Sequence, residues 1–179
     1  NMSLQASNFL IGMYLGVEAL GYYSRMFYLA AQPANFFTLT ISRVLFANFA
    51  RHKNDDIYIK SIILSSANTI FLLVMPISIL LYFLRVDVVN LVLGDNWIEG
   101  AQVFGLLFLT IPARLFWKTV EIVYKGRGDL HVLLFLNLFF LASVVFGIWS
   151  VRDGTIDNVA FAICIVYWIN AILSFCFFC

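Results

Sequence analysis

The feature that most constrains this chain is a set of long segments without a charged residue. These segments are residues 61–84, 132–151 and 158–179. Each reaches the roughly 20 residues that a helix needs to cross the hydrocarbon core of a bilayer. Of all 179 residues, 63% are hydrophobic, against about 45–50% in soluble globular proteins. A soluble domain of this length cannot bury so much apolar surface, so the sequence predicts a multi-pass membrane protein.

The apolar segments are predicted to be helices, because a backbone that spans lipid must satisfy its own hydrogen bonds. A β-barrel would need short alternating strands, whereas the apolar runs here are continuous. Two further spans contain charges, and polar or glycine-containing turns separate all the spans. We therefore expect an all-α membrane bundle of about six helices, the first truncated, with spans near residues 1–15, 20–50, 57–84, 97–124, 131–150 and 156–179.

The connections between spans are short, so we expect a single transmembrane lobe over residues 1–179 and no soluble domain. Residues 86–93 are apolar but too short to span, and we expect them to form a half-helix at the membrane surface. The first residues lack a basic segment, and the last ones lack the polar flank that usually ends a membrane helix. We therefore expect a fragment of a longer protein.

The basic residues of the turns predict the orientation. One side carries five of them and the other side carries Arg85 and Arg152. Because cytoplasmic loops are enriched in lysine and arginine, the first side is expected in the cytoplasm, together with the C-terminus, in a cytoplasmic (inner) membrane. The five residues of that side are Arg51, Lys53, Lys60, Lys125 and Arg127.

An ordered set of short motifs resembles a known family. The motifs are Phe-Leu-Ile-Gly at 9–12, Leu-Gly-Tyr-Tyr-Ser-Arg at 20–25, Pro33, Ser-Arg-Val-Leu-Phe at 42–46, Leu-Gly-Asp-Asn-Trp at 93–97 and Lys-Gly-Arg-Gly-Asp at 125–129. In this order they resemble the polysaccharide flippases, the O-antigen and exopolysaccharide transporters of the multidrug, oligosaccharidyl-lipid and polysaccharide exporter superfamily. The resemblance covers nearly the whole chain.

The resemblance implies the C-terminal six-helix lobe of a two-lobe transporter. It implies export of a lipid-linked oligosaccharide across the cytoplasmic membrane, with a polyprenyl-pyrophosphate-linked glycan as substrate. The expected partners are therefore this glycan, the lipid bilayer and the missing N-terminal lobe of the same chain. Alternating access between the two lobes is the expected mechanism.

Four charged residues are predicted to share one face of a membrane helix. At 100° per residue, Arg114, Lys118, Glu121 and Lys125 fall within an arc of about 60°. A charge as deep as Arg114 must face protein or a water-filled cavity. One interpretation is a cationic wall for a pyrophosphate, with Glu121 reducing its charge. The alternative is that the lysines reach the interface and that Glu121 pairs with Lys118.

Five further residues are candidates. Arg25 and Arg43 lie near opposite ends of one predicted span, where they could line a cavity or extend to the interface. Pro33, between them, is predicted to bend that helix. Pro76 and Pro112 are similar hinge candidates, although proline is common in membrane helices in any case.

The sequence predicts no enzyme activity, no cofactor and no metal site. It contains no glycine-rich phosphate loop and no nucleophile with a nearby histidine. His52 and His131 are isolated, and the three cysteines lie in the last apolar segment. The net charge of +1 gives no basic patch, so nucleic acid is not an expected partner.

Three alternatives remain open. A multidrug or cation exporter of the same superfamily would carry acidic residues in its cavity, whereas the deep charges here are mostly basic. A membrane-embedded transferase of polysaccharide assembly would need a sizeable outer loop and carboxylates for Mg²⁺. A purely structural membrane subunit would not be expected to carry a deep arginine.

Overall fold

The computed structural model describes the backbone of residues 2–51, 56–152 and 154–178. Within these ranges the side chains are described except for residues 2–4, 6, 34, 36–51, 56 and 177–178. The described chain is helical almost throughout and contains no β-strand. The prediction of an all-α protein is therefore confirmed.

Eight α-helices follow one another in the described residues. They are α1 Met2–Arg51, α2 Asp56–Thr69, α3 Met75–Phe83, α4 Arg85–Leu93, α5 Ala101–Leu109, α6 Ile111–Arg127, α7 Leu130–Ser150 and α8 Ile156–Phe178. A π-helical turn, Ile70–Val74, connects α2 to α3, and a 3₁₀ turn, Asp95–Gly100, leads into α5. Several of these helices therefore combine into longer rods.

Four helical segments of the described chain are long and apolar enough to cross a membrane. They are Ile57–Phe83, Asp95–Arg127, Leu130–Ser150 and Ile156–Cys176. Together they identify a multi-pass membrane protein. The two spans expected within α1 stay predictions, because α1 is not among these four segments.

Helix α1 is divided at Gly16, whose backbone leaves the helical region with φ 90° and ψ 176°. Glycine takes a positive φ without the steric penalty that a Cβ atom brings. This break separates the two spans expected near residues 1–15 and 20–50. Pro33 lies within the same helix, but the helical backbone continues through it. Gly16 is therefore the residue at which the backbone of α1 leaves the helical region, and the hinge at Pro33 stays a prediction.

The π-helical turn Ile70–Val74 immediately precedes Pro76, which is in the first turn of α3. Proline has no N–H to donate and its ring clashes with the carbonyl four residues earlier. A wider turn relieves this clash, and here the N–H of Met75 donates to the Ile70 carbonyl, five residues back. Because π-turns often lie at functional sites, this turn remains a candidate hinge.

The segment made of α5 and α6 is the centre of the bundle. In its most apolar stretch 78% of the residues are buried, against 28% in Ile57–Phe83 and 44% in Ile156–Cys176. Helices α1, α2, α7 and α8 all pack against α6. The central segment is also the least hydropathic of the four. Polar residues therefore lie inside the bundle, and the more apolar helices are available to face lipid.

The short connections make successive segments run in opposite directions. Helix α2 begins, and helix α6 ends, at one end of the bundle, which carries Lys60, Lys125 and Arg127. We call it the basic end. The opposite end carries α4 and the 3₁₀ turn, where Tyr22 packs edge-on against Trp97 with ring centres 5.6 Å apart.

Candidate functional site

The part of α6 nearest the basic end carries a compact cluster of charged residues. Nζ of Lys118 lies 2.6 Å from Oε2 of Glu121, and Nζ of Lys125 lies 2.6 Å from Oε1 of the same carboxylate. Glu121 is 15% exposed, whereas the side chains of Lys118 and Lys125 are 41% and 54% exposed. The Glu121 carboxylate therefore forms ion pairs with both lysines, and both lysine side chains remain partly exposed.

The helical spacing accounts for these ion pairs. Residues three and four positions apart lie next to each other on a helix surface, and Glu121 has a lysine at each of these spacings. The structure contains the pairing of Glu121 with Lys118 that one interpretation of the sequence required, and adds the pairing with Lys125. With Arg114, the face carries three cations and one carboxylate, so it stays cationic.

Arg114 is held between aromatic rings of two other helices. Its Cζ atom lies 4.8 Å from the centre of the Phe27 ring on α1 and 5.6 Å from that of the Tyr167 ring on α8. The Nη1 atom is buried and has no hydrogen-bond partner among the described residues. The guanidinium is therefore fixed in position by rings while part of its hydrogen-bonding capacity stays unused.

The two ring contacts do not by themselves replace the hydration of the Arg114 guanidinium. A cation–π contact contributes about 0.5–2 kcal/mol, whereas removing an ion from water costs several kcal/mol. Two ring contacts offset only part of that cost. Arg114 as a whole is only partly buried, so water at its exposed part, or an anion beside Nη1, would compensate for the remainder. The geometry suits an anionic group that reaches α6 from inside the protein.

The aromatic residues around Arg114 could not be identified from the sequence. Tyr23 is 1% exposed and lies close enough to Arg114 and Tyr167 to interact with both electrostatically. Tyr23 and Phe27 also pack together, with ring centres 6.0 Å apart. These residues come from the first and last helices of the chain. Aromatic residues are so frequent in all its spans that no local signal distinguishes them.

Arg25 does not join this cluster. Its side chain is exposed, and its Cζ atom lies 5.5 Å from the centre of the Trp97 ring at the end opposite the basic end. Its position matches the alternative that it extends to the interface. The side chain of Arg43 lies outside the described residues.

Two of the three candidate hinges begin helices. Pro76 is in the first turn of α3, and Pro112 is buried in the first turn of α6. At the junction of α5 and α6, the Thr110 hydroxyl donates to the Leu107 carbonyl at 2.6 Å. Both prolines therefore lie where one helical rod changes its hydrogen-bonding pattern.

Among the described residues, no three His, Cys, Asp or Glu side chains come together as potential metal ligands.

A family comparison connects this architecture to known proteins. Residues 2–102 match the family model described as polysaccharide biosynthesis protein. The chain belongs to this family. The matched region includes the Gly16 break, the π-helical turn and α4, and it ends as α5 begins. Membership in the polysaccharide biosynthesis family confirms, at the level of the family, the resemblance found in the sequence motifs.

A curated relative extends the similarity to the remaining helices. Over 173 residues the chain is 25% identical to the teichuronic acid biosynthesis protein TuaB of Bacillus subtilis (strain 168). The match covers 92% of this chain and 34% of the relative. The chain thus spans about a third of the length of that protein. No solved structure matches the chain.

Proposed function

We propose that this chain forms one lobe of a membrane transporter that exports a lipid-linked polysaccharide precursor across the cytoplasmic membrane. Family membership and the similarity to a teichuronic acid biosynthesis protein support a role in polysaccharide synthesis or export. The expected substrate is a polyprenyl-pyrophosphate-linked glycan, and the expected partner is the other lobe of the same protein. Transport involves no covalent change in the substrate.

The observation that carries this proposal is the buried Nη1 atom of Arg114, which has no acceptor among the described residues. It lies on the most buried span, on the face that also carries Lys118 and Lys125. A pyrophosphate offers the anionic oxygens that such donors bind. A cation exporter would instead require an excess of carboxylates on this face.

The proposed mechanism is alternating access. The two lobes rock around a central cavity that opens first to the cytoplasm, where the substrate is loaded, and then to the outside. The glycan crosses along protein and water, and the cationic face of α6 stabilises the charged linkage during the crossing. Either an ion gradient or removal of the product outside would drive the cycle.

The test uses the intact protein and measures flipping of a lipid-linked oligosaccharide in proteoliposomes together with the protein level. Arg114→Gln should reduce flipping about ten- to hundredfold, since a hydrogen bond to a charged group contributes roughly 1.5–3 kcal/mol. Arg114→Lys should retain part of the activity. The control is Arg152→Gln, at an exposed arginine near the end of α7, which should flip normally.

The two readouts separate binding from folding. Normal flipping at a normal protein level in Arg114→Gln would remove Arg114 from the substrate path, and with it the main support for an anionic substrate. A loss of protein that accounts for the whole loss of flipping would show that Arg114 only stabilises the lobe.

A further inference from the structure

A groove lies on the side of the bundle formed by α2 with its following π-helical turn, α6 and α8. Its volume is about 310 Å³. The floor is made by Ala67, Phe116 and Ala171, which are 7%, 4% and 6% exposed. The rim residues Leu64 and Ile172 are 41% and 61% exposed. A small residue on each of two helices thus leaves a recess that opens to the surface of the lobe.

Aromatic rings form the walls of this groove. The rings of Phe71 and Trp168 lie 6.1 Å apart, and those of Phe116 and Phe175 lie 6.0 Å apart. The first pair therefore joins α8 to the π-helical turn that follows α2, and the second joins α8 to α6. Aromatic side chains bury large apolar areas and hold their shape, so the walls suit a flexible apolar chain.

The groove lies at the depth of the hydrocarbon core. Leu64 and Phe71 are seven and fourteen residues after the start of the span Ile57–Phe83, which places them about 10 Å and about 21 Å along the helix. The hydrocarbon core is about 30 Å thick. Eight of the nine residues that line the groove are apolar, Asn68 being the exception, so the groove favours an apolar occupant.

The volume fits a single chain. An empty apolar cavity of about 150 Å³ accepts one benzene molecule, so a groove of 310 Å³ accepts on the order of twelve carbon atoms. A bilayer phospholipid brings two chains for each headgroup, whereas a polyprenyl phosphate brings one. The groove therefore has room for a segment of one apolar chain, and a polyprenyl phosphate could occupy it without leaving a second chain outside.

Lys60 lies beyond the groove, towards the basic end of the bundle. On α2, Lys60 shares an arc of about 60° with Leu64 and Ala67. Lys60 is exposed and lies about 6 Å along the axis from Leu64. A lysine at the membrane surface attracts anionic headgroups. The surface thus places a positive charge where the head of a chain held in the groove would emerge.

We propose that this groove binds the polyprenyl chain of the transported lipid, with its phosphate beside Lys60. This inference rests on the proposed function, because that function supplies a substrate with a single isoprenoid chain. The groove keeps the polyprenyl chain in the lipid phase, while the cationic face of α6 binds the charged pyrophosphate linkage. The chain then remains bound to the outside of the lobe as the glycan crosses.

The test is photo-crosslinking in nanodiscs with the intact protein and ³²P-labelled polyprenyl phosphate. A benzoylphenylalanine replaces either Ile172 on the groove rim or Leu134 on α7. The two positions are 61% and 62% exposed, so Leu134 is a matched control outside the groove. We expect saturable labelling at position 172 that excess phosphatidylglycerol does not displace, and only weak, non-saturable labelling at position 134.

Substitutions test the groove and its charge separately. Ala67→Leu fills the floor and should weaken labelling at position 172 at least tenfold, whereas Ala142→Leu, at an exposed alanine of α7, should not weaken it. Lys60→Gln should weaken labelling about fivefold, as expected for one lysine near an anionic headgroup.

Several outcomes would overturn the proposal. Equal labelling at positions 172 and 134, or displacement by phosphatidylglycerol, would show that bulk lipid fills the groove. A crosslink to another part of the protein would show that the groove is a protein interface.

The protein recovered from the nanodiscs is then transferred to liposomes, where flipping of the lipid-linked oligosaccharide is measured. Saturable labelling without flipping would refute the proposed function alone, and normal flipping without saturable labelling would refute the groove alone.

Discussion

The indole Nε1–H of Trp168 on α8 donates a hydrogen bond to the carbonyl of Leu109, at 3.2 Å, across the junction of α5 and α6. Pro112 interrupts the regular helical hydrogen bonding at this junction, since proline has no N–H. In lipid an unpaired carbonyl is costly. A side chain of α8 therefore donates a hydrogen bond to a backbone carbonyl at the junction in the central segment.

Loss of this bond should destabilise the lobe. Trp168→Phe retains most of the ring but removes the N–H, and we expect a loss of about 1 kcal/mol, typical of hydrogen bonds between membrane helices. The measurement is the free energy of unfolding in detergent. Trp149→Phe, at a half-exposed tryptophan of α7, is the control. Equal losses in both variants would contradict a special role for the Trp168 bond.

The shared carboxylate of Glu121 should matter more than either of its partners. Glu121→Gln removes both ion pairs, and we expect a loss of stability of about 1 kcal/mol. Lys125→Gln removes only the more exposed pair and should cost less than about 0.5 kcal/mol. High salt should reduce both effects. Unfolding is measured in detergent at two salt concentrations, and a larger loss for Lys125→Gln would contradict the shared arrangement.

The glycine that ends α6 should not tolerate a side chain. Gly128 has φ 84° in the left-handed region, where a Cβ atom costs roughly 1–2 kcal/mol. Gly128→Ala should therefore lower stability by about that amount. Gly21→Ala is the matched control, because Gly21 is helical and a Cβ there meets nothing within 4 Å. We expect Gly21→Ala to be neutral or slightly stabilising.

The π-helical turn before Pro76 should change when the proline is removed. In Pro76→Ala the new N–H can restore the regular helical bond, so we expect a gain in thermal stability below the roughly 3 kcal/mol that proline costs inside a regular helix, because the π-helical turn already relieves the clash. If the turn is a hinge, flipping by the intact protein should fall at the same time. Ile77→Ala, at an exposed neighbour, is the control. Greater stability with normal flipping would exclude a hinge at this turn.

The orientation of the lobe can be tested with single cysteines. After replacement of the native cysteines by alanine, a cysteine at Asp129 should be shielded from an impermeant thiol reagent in intact cells, and one at Asp95 should react. Both positions are exposed and lie near opposite ends of the span Asp95–Arg127. Reaction of the cysteine at Asp129 from outside would invert the predicted topology.

The sequence by itself determined the class of the protein and the local chemistry of its helices. The charge-free segments required membrane helices, since a spanning backbone must bond to itself. The spacing of Lys118, Glu121 and Lys125 required one shared helix face, because that periodicity is local. Gly16 and Gly128 lie at breaks in the helical backbone, and both adopt positive φ.

Only the tertiary structure decided which helices meet. The rings of Phe27 and Tyr167 around Arg114 come from the first and last helices, and the groove combines side chains of α2, α6 and α8. Arg25, which is on α1 like Phe27, instead lies over Trp97. The physical reason is that lipid provides no hydrophobic force to bring apolar helices together, so their pairing depends on close packing and a few interhelical polar contacts. Such contacts join residues far apart in the chain, and no local pattern reveals them.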